Sequence, residues 1–402
     1  MKKVFNLGLL LSAIFFASIM FSQQIKEKPI KEVINEALNF SAQQSLLMAN
    51  SLKDKTDLLP KTVDLFGNLI TCKSDWWTSG FFPGQLWYLY EFSSDPKLKT
   101  FAEEYSTRVE KEKFATDTHD LGFVIHCSFG NGYRITSNNS YLEVIHTAAN
   151  SLSTRFNQNP GVIRSWDTHD WNKQWQYAVI IDNMMNLEML LWASEKFNEP
   201  KFREIAISHA DKTLLNHFRE DNSSYHVVSY DTVSGIPHAK NTAQGFSHSS
   251  AWARGQSWGL YGYVVMYRFT KEVRYLKQAN SIAVFLINHP RMPKDKLPYW
   301  DYDAPNIPDT YRDASAGAVM CSALIELSKY ADSEKAKLYL SVAEQQLRSL
   351  NTYYRNAAGN NGNFILKHSV GSLPGKSEVD VPLTYADYYF VEALMRMREL
   401  YK

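Results

Sequence analysis

Apolar positions recur at three- and four-residue spacing through most of the chain, the period of helices with one buried face. The pattern predicts helices over Val33–Leu52, Gly84–Glu91, Leu98–Phe114, Leu121–Ile135, Tyr141–Phe156, Tyr177–Phe197, Phe202–Phe218, Ala251–Phe269, Arg274–Ile287, Ala314–Tyr330, Lys335–Tyr353 and Tyr385–Leu400. Alternating runs that would read as sustained strands are scarce; Tyr225–Tyr230 is the best short one. In order, these twelve helices make six hairpins, and no Pro/Ser-rich linker divides them, which predicts one domain over residues 23–402. Six hairpins can close as a ring of helices inside a ring of helices, or run on as an open solenoid. The lack of a fixed-length repeat weighs against the solenoid. The placing of unusual residues weighs for closure. Trp77-Thr-Ser-Gly-Phe-Phe-Pro-Gly, His119-Asp-Leu-Gly-Phe, Asp182-Asn-Met-Met-Asn, Trp252-Ala-Arg-Gly-Gln-Ser-Trp-Gly, Asp313-Ala-Ser-Ala-Gly and Tyr385-Ala-Asp-Tyr-Tyr all open second helices of hairpins. In an all-α toroid those starts meet on one face, as an aromatic, acidic bowl.

Residues 1–22 stand apart. Lys2 and Lys3 precede a mostly apolar run from Leu7 to Phe21, which has signal-peptide length, and cleavage is expected near Ser22. No Cys there offers a lipid attachment point, and no later segment is long and apolar enough for a bilayer. The expectation is a periplasmic protein, exported by a cleavable signal peptide and not a lipoprotein. Cys72, Cys127 and Cys321 allow one disulfide at most and lack metal-ligand spacing. Lys+Arg 43 against Asp+Glu 42 gives +1, so charge supplies no argument for nucleic acid or a membrane surface. The aromatic share of 14%, with ten Trp and 23 Tyr, is the departure that matters. Such surfaces suit sugar rings, though also other apolar ligands and interfaces.

Within Trp252–Gly262, Arg254 and Trp258 stand at i and i+4 on one helical face. A cation beside a flat ring suits a carboxylate joined to a sugar face; a structural Arg stacked on a Trp fits equally. Asp182 lies between apolar residues in Val179-Ile-Ile-Asp-Asn-Met-Met-Asn-Leu. Burial or a second carboxylate would raise its pKa and make it a general acid. The alternative is a buried Asp bonded to backbone or to Asn183. Asp120 is either a second carboxylate or a helix N-cap. His226 and Gln244 either meet a ligand or settle a loop, and Trp166 is either a ring platform or a core residue. His119, His169 and Asp170 lack the pairing of a metal site, and no metal is expected.

Taken together, Trp77-x-Ser-Gly-Phe, His119-Asp-Leu-Gly-Phe, Ile181-Asp-Asn-Met-Met-Asn-Leu and Trp252-Ala-Arg-Gly-Gln-Ser-Trp-Gly resemble the unsaturated glucuronyl hydrolases of glycoside hydrolase family 88, in register from about Trp76 to Tyr389. The resemblance implies an (α/α)6 toroid. It implies Asp182 as general acid/base, Asp120 as its companion carboxylate, and His226, Gln244, Arg254 and Trp258 as pocket residues. Trp77 and Trp166 fall at matching aromatic positions, with Trp76 open to confusion with the first. The implied partner is an oligosaccharide ending in a 4,5-unsaturated uronate, the product of a lyase. The implied reaction is hydration of the C4=C5 vinyl ether, to which the carboxylate-spacing rule of ordinary glycosidases does not transfer. No cofactor is implied. Some relatives hold a sulfate on a Ser/Lys-rich loop near Lys367–Glu378; here Ser369, Ser372, Lys376 and Ser377 would supply donors, or the segment is a plain Gly/Pro loop. Unsaturated rhamnogalacturonyl hydrolases and a non-catalytic sugar-binding toroid are the rival readings.

Overall fold

The computed structural model describes residues 27–401, so the expected signal peptide lies outside the described residues. Twelve α-helices occur among the described residues. The outer ones are α1 (Ile30–Leu52), α3 (Pro96–Val109), α5 (Ser140–Ser153), α7 (Pro200–Asn216), α9 (Val273–Asn288) and α11 (Ser333–Tyr353). The inner ones are α2 (Phe81–Ser93), α4 (Asn131–Thr136), α6 (Leu187–Phe197), α8 (Ala253–Thr270), α10 (Ala314–Leu327) and α12 (Thr384–Glu399). A π-helical stretch, Gly122–Gly130, leads straight into α4. Neighbouring inner helices pack on one another, with the π-helical stretch before α4 making the contact to α6, and α12 packs back on α2, so the ring closes as an (α/α)6 toroid.

Burial explains which helix goes where. Helix α10 reads Ala-Ser-Ala-Gly-Ala-Val-Met-Cys and is buried all round, and α8 is buried from Ala253 through Met266. A helix apolar or small on every side belongs inside. Outer α11 buries only one stripe, including Tyr339, Val342, Ala343, Gln346, Leu347 and Leu350. Side-chain caps fix several starts. Asp95 takes the Lys97 N–H at 2.9 Å before α3, and Asp332 takes that of Lys335 at 2.9 Å before α11.

The strands are short and occupy the loops. They are β1 (Leu59–Val63), β2 (Leu69–Cys72), β3 (Phe156–Asn157), β4 (Val162–Ile163), β5 (Ala178–Ile180), β6 (Val227–Tyr230), β7 (Pro237–Asn241), β8 (Ser369–Ser372) and β9 (Ser377–Val381). All pair antiparallel, as β1–β2, β3–β4, β5–β6–β7 and β8–β9. The sequence anticipated only the region of β6. One predicted helix is corrected: Tyr177–Phe197 is strand β5, then a 3-10 turn at Ile181–Met185, then α6. A fully apolar Ala-Val-Ile run does not reveal its period, and pairing with β6 decides it. The three cysteines are free.

Candidate active site

Strand pairing delivers the first two groups. Ile180 is opposite Val227, and the Ile181 N–H donates to the His226 carbonyl at 3.0 Å, which brings Asp182 beside His226. His226 Nε2 lies 3.8 Å from Asp182 Oδ2, and neither atom makes a hydrogen bond within the described residues. His226 Nδ1 accepts the N–H groups of Ala243 (3.1 Å) and Gln244 (3.2 Å). That acceptor role places the ring proton on Nε2, aimed at Asp182. Burial, with Arg254 nearby, holds the imidazole well below its usual pKa, so it stays neutral. Asp182 is 8% exposed. Burial pushes its carboxyl up to about 7; Arg254 opposes this and the Asp120 charge adds to it.

Asp120 precedes the π-helical stretch but does not cap it. Phe123 N–H, which a capping carboxylate would take, donates instead to Asn186 Oδ1 at 3.2 Å. Asp120 therefore keeps its carboxylate free of the helix. It accepts from Thr118 Oγ1 at 3.2 Å and lies 3.4 Å from His119 Nε2. Burial raises it to about 7 against the weaker pull of Thr118, Arg155 and Asn186. The two motifs interlock here. A Cβ on Gly122 would sit 2.7 Å from the Asn186 Cα, so only glycine lets the 3-10 turn approach this closely.

The rest of the bowl closes through ring and charge contacts. Trp77 stacks 4.9 Å from Tyr385 and 5.7 Å from Phe123, and Trp258 lies 5.3 Å from Phe123. The Trp258 indole N–H is directed at Asp182 without closing a full hydrogen bond. Arg254 is 1% exposed and 3.4 Å from Asp313. One of its terminal nitrogens donates to the Val370 carbonyl and the other to that of Gly371 at 2.7 Å. Asp313 also caps α10 through the Ser315 N–H at 3.0 Å. The starts of the inner helices thus share one end of the barrel, where their N-terminal dipoles favour negative charge.

Comparison with known proteins places the chain in a family. The profile of Glycosyl Hydrolase Family 88 matches residues 55–400. The chain belongs to glycoside hydrolase family 88. An unsaturated glucuronyl hydrolase of Formosa agariphila is 46% identical over 81% of this chain and 80% of its own length. An unsaturated chondroitin disaccharide hydrolase of Streptococcus agalactiae is 34% identical over 80% of this chain and 81% of its own. The solved structure of an unsaturated glucuronyl hydrolase specific for heparin superposes with a TM-score of 0.89 at 44% identity, covering 92% of this chain and 98% of that one. This family 88 protein is a glycoside hydrolase.

Within the family 88 bowl, Asp182, Asp120, His226, Trp77, Arg254 and Trp258 come together. Trp76 does not join them; it is 40% exposed with Lys61 Nζ 4.0 Å over its ring. Trp166 is half-buried, 5.7 Å from His226, and Gln244 and Ser372 line the cavity beside it. One expectation needs correction. Arg254 stacks over Trp252 at 4.5 Å and Tyr385 at 5.3 Å, rather than beside Trp258, because its head is drawn to the β8–β9 carbonyls. Ser369 is fully buried at the base of β8, and its hydroxyl makes no hydrogen bond among the described residues. Lys376 is exposed in the β8–β9 turn, and the cavity wall is formed by its neighbour Gly375. His119 is buried while His169 and Asp170 are exposed, and no metal-ligating cluster occurs among the described residues. Sequence reading missed the part played by Asn186. An Asn three residues after Asn183 on a presumed helix gave no sign of it.

Proposed function

We propose that this enzyme releases the 4,5-unsaturated uronate from the non-reducing end of lyase-made oligosaccharides of glycosaminoglycan type. The observation that carries the reading is Asp182: a nearly buried carboxyl held near neutrality, with one oxygen unbonded and a neutral His226 N–H facing it. A vinyl ether needs a proton at carbon, and a carboxylic acid with a pKa near 7 can hold one at working pH. Asp182 donates it to C4, and positive charge develops at C5 and the ring oxygen. Water adds at C5 and gives its proton to the carboxylate just formed. The product is a hemiketal; it opens to a C5 ketone, leaving C1 a hemiacetal that expels the remaining sugar. His226 is no base for this water, since its Nδ1 lone pair is engaged by two backbone N–H groups. Its Nε2–H is suited to orienting a hydroxyl against Asp182. Export through the segment ending near Ser22 is part of the proposal.

The test is optical, because the conjugated C4=C5 bond absorbs in the near ultraviolet. Lyase-made disaccharides mixed with the enzyme are expected to lose that absorbance. Asp182→Asn is expected to fold and bind substrate but to abolish the loss. Undiminished turnover by that variant, or equal cleavage of saturated uronides, would sink the mechanism.

A further inference from the structure

The reaction above uses neither the His119 imidazole nor the Asn183 behind it. Both side chains are buried, His119 at 1% exposure and Asn183 at 0%. The Asn183 amide has one orientation open to it. Its Nδ2 donates to the Ile163 carbonyl at 2.9 Å, and a carbonyl can only accept, so Nδ2 and Oδ1 cannot exchange places. Oδ1 is thereby turned to the His119 ring, and neither Asn183 Oδ1 nor His119 Nδ1 has another partner among the described residues. An amide oxygen facing a ring nitrogen decides which nitrogen carries hydrogen: Nδ1 is the donor. Burial, with Arg155 as the next cause, pushes the imidazole down to about 3. The ring therefore carries one proton at neutral pH, and Nε2 is left with a lone pair.

That lone pair faces Asp120 Oδ1 at 3.4 Å. Two acceptors so close repel, and the contact is favourable only when Oδ1 carries a proton. The other carboxyl oxygen is already engaged. Thr118 Oγ1 accepts the Asp120 N–H at 3.1 Å and donates to Asp120 Oδ2 at 3.2 Å. Asp120 thus has a donor on one side and a place for its own proton on the other. Four further titratable or charged groups act on the pair. Arg155, held by Asp167 at 3.1 Å, favours ionised Asp120, but less strongly than burial opposes it. Asp182, on the 3-10 turn, is the second carboxyl of the site and feels the Asp120 charge. His226 and His209 feel the His119 charge, and burial keeps both neutral, so neither supplies a cation that would draw the proton from Asp120.

We propose that His119, its tautomer fixed by Asn183, is a positioning residue that keeps Asp120 protonated, so that Asp182 becomes an anion beside a neutral neighbour when it gives its proton to the substrate. The proposal rests on the function given above. An ionised Asp120 would make Asp182 a poorer acid, because two carboxylates in one buried site repel. Nitrogen NMR of histidine-labelled enzyme tests the tautomer without reference to activity. With the His119 resonances assigned by their loss in His119→Gln or His119→Asn, Nδ1 is expected to be protonated and Nε2 bare from about pH 5 to pH 7. A protonated Nε2 in that range, in the other neutral tautomer or in the cation, would overturn the relay and leave the reaction standing. Kinetics reads the consequence. A Gln at position 119 can turn an amide N–H to Asp120 and so favour its carboxylate. His119→Gln is expected to lower kcat several-fold and to move the alkaline limb of kcat/KM up by about one pH unit, with KM little changed. A purely structural loss would lower activity without moving the limb, and a limb that stays in place would overturn the proposal. Wild-type enzyme inert on lyase-made disaccharides would overturn the reaction and, with it, the part given to Asp120.

Discussion

Asp182 and Asp120 are expensive residues to keep. Each carboxyl is raised from 3.8 to about 7 by burial, so the folded protein holds protons there that the unfolded chain releases. The sign follows from linkage: for an acid with a raised folded pKa, the cost is absent below about 4 and fully present above about 7. The melting temperature of the wild type is therefore expected to fall as pH rises between those values, as far as these two groups determine it. Asp182→Asn removes one share of that cost. It is expected to melt several degrees above wild type at pH 8, corresponding to a few kcal/mol at most, and close to wild type at pH 4. Thermal melts at both pH values check this; a variant less stable than wild type at pH 8 would contradict it.

At the scale of elements, the interlock of two helix starts matters most. Asn186 occupies the Phe123 N–H and thereby keeps Asp120 out of a cap. With Asn186→Ala, that N–H is left open and Asp120 can turn onto it. The expected result is a kcat lowered on the order of 10- to 100-fold with KM little changed, and modest loss of stability because one acceptor replaces another. Steady-state kinetics checks it, and an unaltered kcat would remove Asn186 from the argument. Element boundaries also mark how far the chain could be read without coordinates. Long amphipathic helices such as α11 were legible, since one buried stripe leaves a period of 3.6. Gly122–Gly130 looked like ordinary helix because a π turn differs by one hydrogen-bond step and not by composition. Strand β5 was lost because Ala-Val-Ile buried on both faces carries no period at all. Asp182 and Asp120, the carboxyls of the proposed reaction, stood out as motifs in register, and the structure brings both to the bowl. The true partners of Arg254 were not, since they are main-chain carbonyls more than 100 residues away and any sequence could supply them.

At the scale of the molecule, closure of the ring points the inner helix starts at one end of the barrel. Asp182 and Asp120 stand there as mostly neutral acids below about pH 7, so the end of the barrel offers an anion its helix N-termini, with the charge of Arg254 held behind them by Asp313. A uronate's own carboxylate suits that field. The methyl ester of the unsaturated uronate is accordingly expected to show kcat/KM at least tenfold below the free acid, and ionic strength to change the ratio little, because the charges are buried. Equal rates on acid and ester would refute this. The β8–β9 hairpin carries a different consequence. Arg254 grips it by the carbonyls of Val370 and Gly371, groups that every residue possesses. Side chains farther along the hairpin can therefore be exchanged without unfastening it. Descendants of this chain are free to rewrite one wall of the cavity, and with it their diet, while the carboxyls beneath stay where they are.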